Sequence, residues 1–153
     1  SFQHGDCHMI LTTEMGCDRH GRTIAELPMV WVGSKEGRAW KQTPLPLALG
    51  QSCLFRIYAI RALESEGVDW EVVLEAKAHR ALEAAVSADL AVELLLKGTQ
   101  SSNFEIIDHE GKLPDLDNWQ INLYRADDYS PRILDRLEQM LEQAFQEMET
   151  SSG

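Results

Sequence analysis

Cationic charge is short in this sequence. Fourteen lysines and arginines stand against twenty-five aspartates and glutamates, a net charge of −11, and the basic residues are scattered along the chain. So acidic a chain repels a phosphate backbone unless it gathers a local basic stripe, and none is visible. Taken alone, it is not a nucleic-acid binder. Long apolar runs are missing too, none approaching the ~20 residues that span a bilayer. The first residues carry acids and histidines, with no basic stretch leading into an apolar one, so no signal peptide is expected. Cysteine is sparse and odd in number (Cys7, Cys17, Cys53), whereas a secreted disulfide framework comes in pairs. Free thiols in a reducing cytoplasm are the expectation. Neither a GxGxxG turn nor a phosphate loop occurs. Gly50-x-Ser52 lacks the second glycine of a nucleophile elbow.

What is present is hydrophobic periodicity. Cys7–Leu11 is short, apolar and bounded by polar residues, which suits a buried strand. A polar loop holding Gly16, Asp18, Gly21 and Arg22 comes next, then a strand over Leu27–Val32. Gly33 to Thr43 reads as loop. Leu45–Leu49 resumes the strand pattern, and Pro44 and Pro46 place it at an edge or a strand start. Ser52 can cap a helix whose apolar face is Leu54, Phe55, Tyr58, Ala59, Ala62 and Leu63, with Gly67 as its stop. Trp70–Leu74 is a strand, and His79 to about Ala88 a helix burying Leu82, Ala85 and Val86. Further strands lie at Leu90–Leu96, Phe104–Ile107 and Trp119–Leu123. A last helix, with Ser130 as cap and Pro131 in its first turn, carries the stripe Ile133, Leu134, Leu137, Leu141, Ala144, Phe145 and Met148. The order is β-β-β-α-β-α-β-β-β-α, and the alternation in its middle points to a parallel α/β sheet.

Three constellations could carry chemistry. His4, Cys7, Cys17 and His20 have the two-residue gaps of a tetrahedral zinc site, but a strand and a polar connector account for them as well, so no metal is assigned. Gly50-Gln51-Ser52-Cys53-Leu54-Phe55-Arg56 lies between a strand and a helix N-terminus. In open α/β sheets anions bind at such junctions, and Ser52 adds a hydroxyl, Arg56 a cation and Phe55 an apolar wall. A plain serine cap with a solvated arginine is the competing reading. Ala76-Lys77-Ala78-His79-Arg80 is a second junction of the same kind. A thiol enzyme using Cys53 with His79 as base is the weakest reading, because position suggests no third orienting residue.

Read together, these segments resemble the effector-binding domain of a LysR-type transcriptional regulator. Gly5-Asp6-Cys7-His8-Met9-Ile10-Leu11-Thr12-Thr13-Glu14 is similar to the family's first-lobe strand with its polar exit. Leu27–Gly33 resembles the strand crossing between lobes. Leu45–Leu49 with Cys53-x-Phe55-Arg56 resembles the start of the second lobe. Val86–Val92 sits where the family has an Ala-Gly-x-Gly-Ile run, and Ile121–Arg125 with the helix after Ser130 resembles the return to the first lobe. Asp89 and Ala91 replace the two usual glycines, Leu96 a frequent proline, and His8 a customary aspartate. The family's winged helix-turn-helix, linker helix and first strands have no counterpart here.

The resemblance implies an α/β, type-2 periplasmic-binding-protein-like two-lobed fold with lobe one incomplete. It divides the chain into partial lobe one (1–31), lobe two (32–120), a return strand and closing helix (121–149) and a tail (150–153). It implies a small effector, with Arg56 favouring an acidic one, bound by Thr12 and Thr13 from one lobe and Ser52, Cys53, Phe55, Arg56, Lys77 and His79 from the other. It further implies no cofactor, no catalysis and no membrane partner. A homodimer or higher homo-oligomer is implied too, as is DNA contact through a helix-turn-helix outside this sequence. A solute-binding protein of the same fold is the alternative.

Overall fold

The computed structural model describes residues 9–15, 21–50, 54–125 and 132–151. They form strands β1 (Met9–Glu14), β2 (Gly21–Ser34), β3 (Leu45–Gly50), β4 (Trp70–Ala76), β5 (Glu93–Leu96), β6 (Phe104–Ile106) and β7 (Asn118–Arg125). The helices are α1 (Leu54–Ser65), α2 (His79–Ser87) and α3 (Arg132–Ser151), with one 3-10 turn at Ala39–Lys41. The order of strands and helices is the one read from periodicity. Among the described residues no helix is long and apolar enough to cross a membrane. The chain divides into two compact units, one of residues 1–28 and 117–153, the other of 29–116.

In the first unit β7 is the central strand, antiparallel to β1 on one side (Met9 opposite Arg125, Glu14 opposite Gln120) and to the first half of β2 on the other. Trp119, Ile121 and Leu123 of β7 are buried at period two, with Ile24, Ala25 and Leu27 of β2. Helix α3 is tied to this sheet through ion pairs. Arg22 meets Glu138 and Glu142, and Arg125 meets Asp135 at 2.7 Å and Glu138 at 3.2 Å. Two sequence expectations are corrected here. Thr12–Glu14 belong to β1 and are not its exit, and Gly21 and Arg22 open β2 and are not loop. Polarity misled at both places, because pairing with β7 and with α3 holds these residues in the ladder. Along α3, Leu134 is buried, but two other members of the expected stripe are exposed, Ile133 at 72% and Leu137 at 40%.

In the second unit β3 and β4 run parallel, Leu45 beside Trp70 and Gly50 beside Ala76, with α1 as their crossover. Gly67, at φ +70°, ends α1 by reversing the chain so that Gly67 and Val68 N–H groups reach the Glu64 and Leu63 carbonyls. A one-residue parallel bridge joins Leu47 to Val92. The chain then turns away as β5, antiparallel to the second half of β2, where β6 also pairs. The expected parallel sheet is thus confined to β3–β4 and this bridge, and the remaining pairs are antiparallel. Periodicity reports which face is apolar, not which strand lies alongside. Pro46 is tolerated because its carbonyl accepts from the Val92 N–H at 2.9 Å at the start of that bridge, where its missing donor breaks no ladder bond.

The core of this unit joins Val32, Ala48, Leu82, Val86, Ala91 and Phe104, with Leu74 and Ala76 packed against it, so α2 lies across β3 and β4. The connection after α2 is where the expected glycine is an aspartate. Asp89 takes φ +60°, a conformation costly for a residue with a Cβ. Its carboxylate accepts from the Arg38 N–H (2.9 and 3.0 Å) and the Ala39 N–H (3.0 Å), capping the 3-10 turn. Burial works against this charge. The amides of Arg38 and Ala39, the Ser34 hydroxyl and the Arg38 cation outweigh it and hold the carboxyl below its usual range.

Candidate functional site

Parallel strands release the chain at one common edge, and the last paired residues of β3 and β4 are Gly50 and Ala76. The two junctions singled out in the sequence therefore leave the pair at the same carboxyl edge. Phe55 and Arg56 lie in the first turn of α1. Lys77 is in the short exposed connection after β4, and His79 opens α2. Ser52 and Cys53, between Gly50 and α1, lie outside the described residues. So do His4, Cys7, Cys17 and His20 of the zinc-like spacing, and Ser130 and Pro131.

The charges at this edge are not solitary. The guanidinium of Arg56 donates to the Glu75 carboxylate, one residue before the end of β4. Both partners keep about a third of their side-chain surface in water (32% and 41%). A pair so exposed contributes only ~0–1 kcal/mol, so a competing carboxylate can take the guanidinium at small cost. His79 Nε2 lies 3.0 Å from Glu83 Oε1, one helical turn along α2. No side chain caps α2, whose Ncap is Ala78; of its first-turn amides, that of Ala81 donates to the Ala78 carbonyl at 3.1 Å, which leaves those of His79 and Arg80 facing the edge.

Beside these lies an acid that sequence reasoning passed over. Glu93 opens β5, on the same strand face as Leu95, within reach of the charges of His79 and Glu83 on α2. It is 6% exposed, and its Oε2 has no hydrogen-bond partner among the described residues. Burial pushes its carboxyl up to about 7, with the charge of His79 opposing the rise and that of Glu83 adding to it. The signal in the sequence is a single acid inside Leu90–Leu96, which reads as the outward half of an alternation. Glu75 and Glu83 were passed over as well, because nothing local marks a strand glutamate as the partner of an arginine nineteen residues earlier.

Thr12 and Thr13 belong to the first unit. Adjacent residues of a strand point to opposite faces, so their side chains do not share one. Thr12 donates from Oγ1 to Glu14 Oε2 (2.7 Å), the same oxygen that receives Asn122 Nδ2 (2.8 Å) and Tyr124 Oη (2.7 Å). Asn122 is fully buried, and its Oδ1 accepts from Thr23 Oγ1 at 2.8 Å. The donations from Asn122 first, then Thr12 and Tyr124, hold the Glu14 carboxyl below its usual range. Thr12 is thus part of a polar network across three strands, and Gly21 permits it. A Cβ at position 21 would fall within the ring of Tyr124.

No family model and no curated protein sequence matches the chain. Solved structures do. The chain is similar to VV2_1132, a LysR family transcriptional regulator, with a TM-score of 0.68 at 14% identity over 87% of this chain and 50% of that one. It is similar to HinK, a LysR family transcriptional regulator from Pseudomonas aeruginosa, with a TM-score of 0.69 at 10% identity over 94% and 54%. It is also similar to the regulatory domain of Synechocystis PCC6803 CcmR, solved in complex with 2-PG, with a TM-score of 0.62 at 15% identity over 94% and 76%. The chain spans about half the length of the VV2_1132 and HinK chains. Its fold is the α/β, two-lobed, periplasmic-binding-protein-like fold of LysR regulatory domains.

Proposed function

We propose that this chain is the effector-sensing domain of a LysR-type transcriptional regulator, non-catalytic and working in the cytoplasm. The carboxyl edge of β3–β4 holds the effector in this reading. Arg56, released from Glu75, meets an acidic group, the amides of His79 and Arg80 at the start of α2 add donors, and Phe55 supplies an apolar wall. Ser52, Cys53, Lys77 and His79 complete the contacts, and Thr12 and Thr13 are the first unit's candidates, to be tested separately because they face opposite ways. The observation carrying the reading is the convergence of both strand-to-helix junctions on one edge, in a fold that in CcmR is seen with a small ligand. Binding shifts a pre-existing equilibrium between assemblies of the full regulator, a homodimer or larger. DNA contact belongs to a helix-turn-helix outside this sequence.

The test is a thermal-shift screen of small mono- and dicarboxylic acids, followed by calorimetry on each hit. An acid that binds the chain and loses about tenfold or more in affinity with Arg56→Ala supports the reading. Unchanged binding of every hit by that variant removes the assigned site. Sedimentation of the chain with and without a hit tests the oligomer.

A further inference from the structure

The opposite edge of the same two strands carries a cavity of about 320 Å³, within the size range of small-molecule sites. Its lining is mixed: Leu45 at the start of β3 and Leu113, both nearly fully buried, with Val68, stand among the polar Gln42, Thr43 and Asp69. Its wall is the indole of Trp40, placed by the 3-10 turn that Asp89 caps. Two ammonium groups converge on that indole, Lys41 Nζ at 5.2 Å and Lys112 Nζ at 5.8 Å from the ring centroid.

Both lysines stand on ordered turns. Lys41 belongs to the 3-10 turn itself. Lys112 sits just after a tight reversal in which its N–H reaches the His109 carbonyl at 2.9 Å, while the N–H groups of Gly111 and Leu113 reach His109 Nδ1. Elsewhere Arg22, Arg56 and Arg125 each meet a carboxylate. Lys41 and Lys112 have no carboxylate at ion-pair distance among the described residues, and Asp69 is the one acid among the residues lining the cavity. In a chain of net charge −11, two cations held by an aromatic ring and by no carboxylate among the described residues form a local positive potential that attracts anions.

We propose that this cavity is a second ligand site, separate from the effector edge, for a small molecule that joins a planar ring to a doubly charged acidic group. The ring lies against Trp40 beside Val68, and the acidic group meets the two ammonium groups. The site does not depend on the effector reading, since it shares no residue with the carboxyl edge.

Phenyl phosphate is the probe, with inorganic phosphate (charge without ring) and phenol (ring without charge) as the other arms. The indole N–H resonance of Trp40, assigned through Trp40→Phe, is followed by NMR. The expected result is a saturable shift with phenyl phosphate, binding about tenfold or more tighter than either fragment. The double variant Lys41→Gln/Lys112→Gln, exposed at both positions, loses that advantage while keeping its dispersed spectrum. Arg56→Gln leaves it intact. The proposal is overturned if Trp40 shows no saturable shift, if inorganic phosphate or phenol binds as tightly as phenyl phosphate, if the double variant binds unchanged, or if Arg56→Gln abolishes binding.

Discussion

Each unit sets a glutamate among half-buried or buried neighbours, and the two are treated in opposite ways. Glu14, in the first, receives three donors on one oxygen and stays ionised. Glu93, in the second, is deeper, lacks a partner for Oε2, and is pushed up to about 7. The difference teaches that burial alone does not decide a carboxyl's charge; donors aimed at it do. It also gives the two units opposite responses to pH. A lowered folded-state value means that the Glu14 contribution is present above the ordinary carboxylate range and is lost as pH falls. A raised value means the reverse for Glu93: its carboxyl is neutral and unpenalised below ~4.5, and stability drains away as pH climbs from there toward 7.

The strongest way to break the comparison is at Asn122, whose fully buried amide holds Glu14 and Thr23 together. Asn122→Val removes a donor and an acceptor at once and is expected to cost about 2–4 kcal/mol in urea unfolding. A loss below about 0.5 kcal/mol would mean the network is ornamental. For Glu93, the rise toward 7 corresponds to roughly 3 kcal/mol at most. Glu93→Gln is therefore expected to flatten the fall in melting temperature between pH 5 and 8 and to stabilise the chain at pH 8. An unchanged profile would show that the carboxyl finds a partner in solution. Asp89→Ala deletes the cap on Arg38 and Ala39 and puts a residue less suited to the left-handed region at φ +60°, for an expected loss of about 1–2 kcal/mol. Asp89→Asn retains most of that stability. Smallest in stability is Glu75→Gln, expected to change it by less than ~1 kcal/mol while raising affinity for an acidic effector several-fold by freeing Arg56. Weaker binding in that variant would place the glutamate among the ligand's own contacts.

The order of strands and helices was legible because each is marked by its own apolar period and its own stops, as with Gly67 after Leu63. Strand pairing was not, since Leu45–Leu49 reads the same beside a parallel or an antiparallel neighbour. The ends of β1 and β2 were hidden by polar residues (Thr12, Glu14, Arg22) whose partners lie about a hundred positions away. At the candidate site, the junctions after β3 and β4 could be found from strand and helix boundaries. The carboxylates of Glu75, Glu83 and Glu93 could not, because an acid's role depends on which cation or helix the fold lays against it. Asp89 shows the converse. Its place where the resembled run has a glycine was visible, and only the fold reveals that the carboxylate compensates for its left-handed backbone.

The ring of Tyr124 rests where any side chain at position 21 would have to go, so these two sites cannot vary independently. Even a methyl group introduced there evicts the phenol, and the phenol's departure strips a proton donor from Glu14 on the far strand. A sequence drifting at position 21 must therefore first shrink position 124, and a designer wishing to stiffen that strand should leave its opening residue bare.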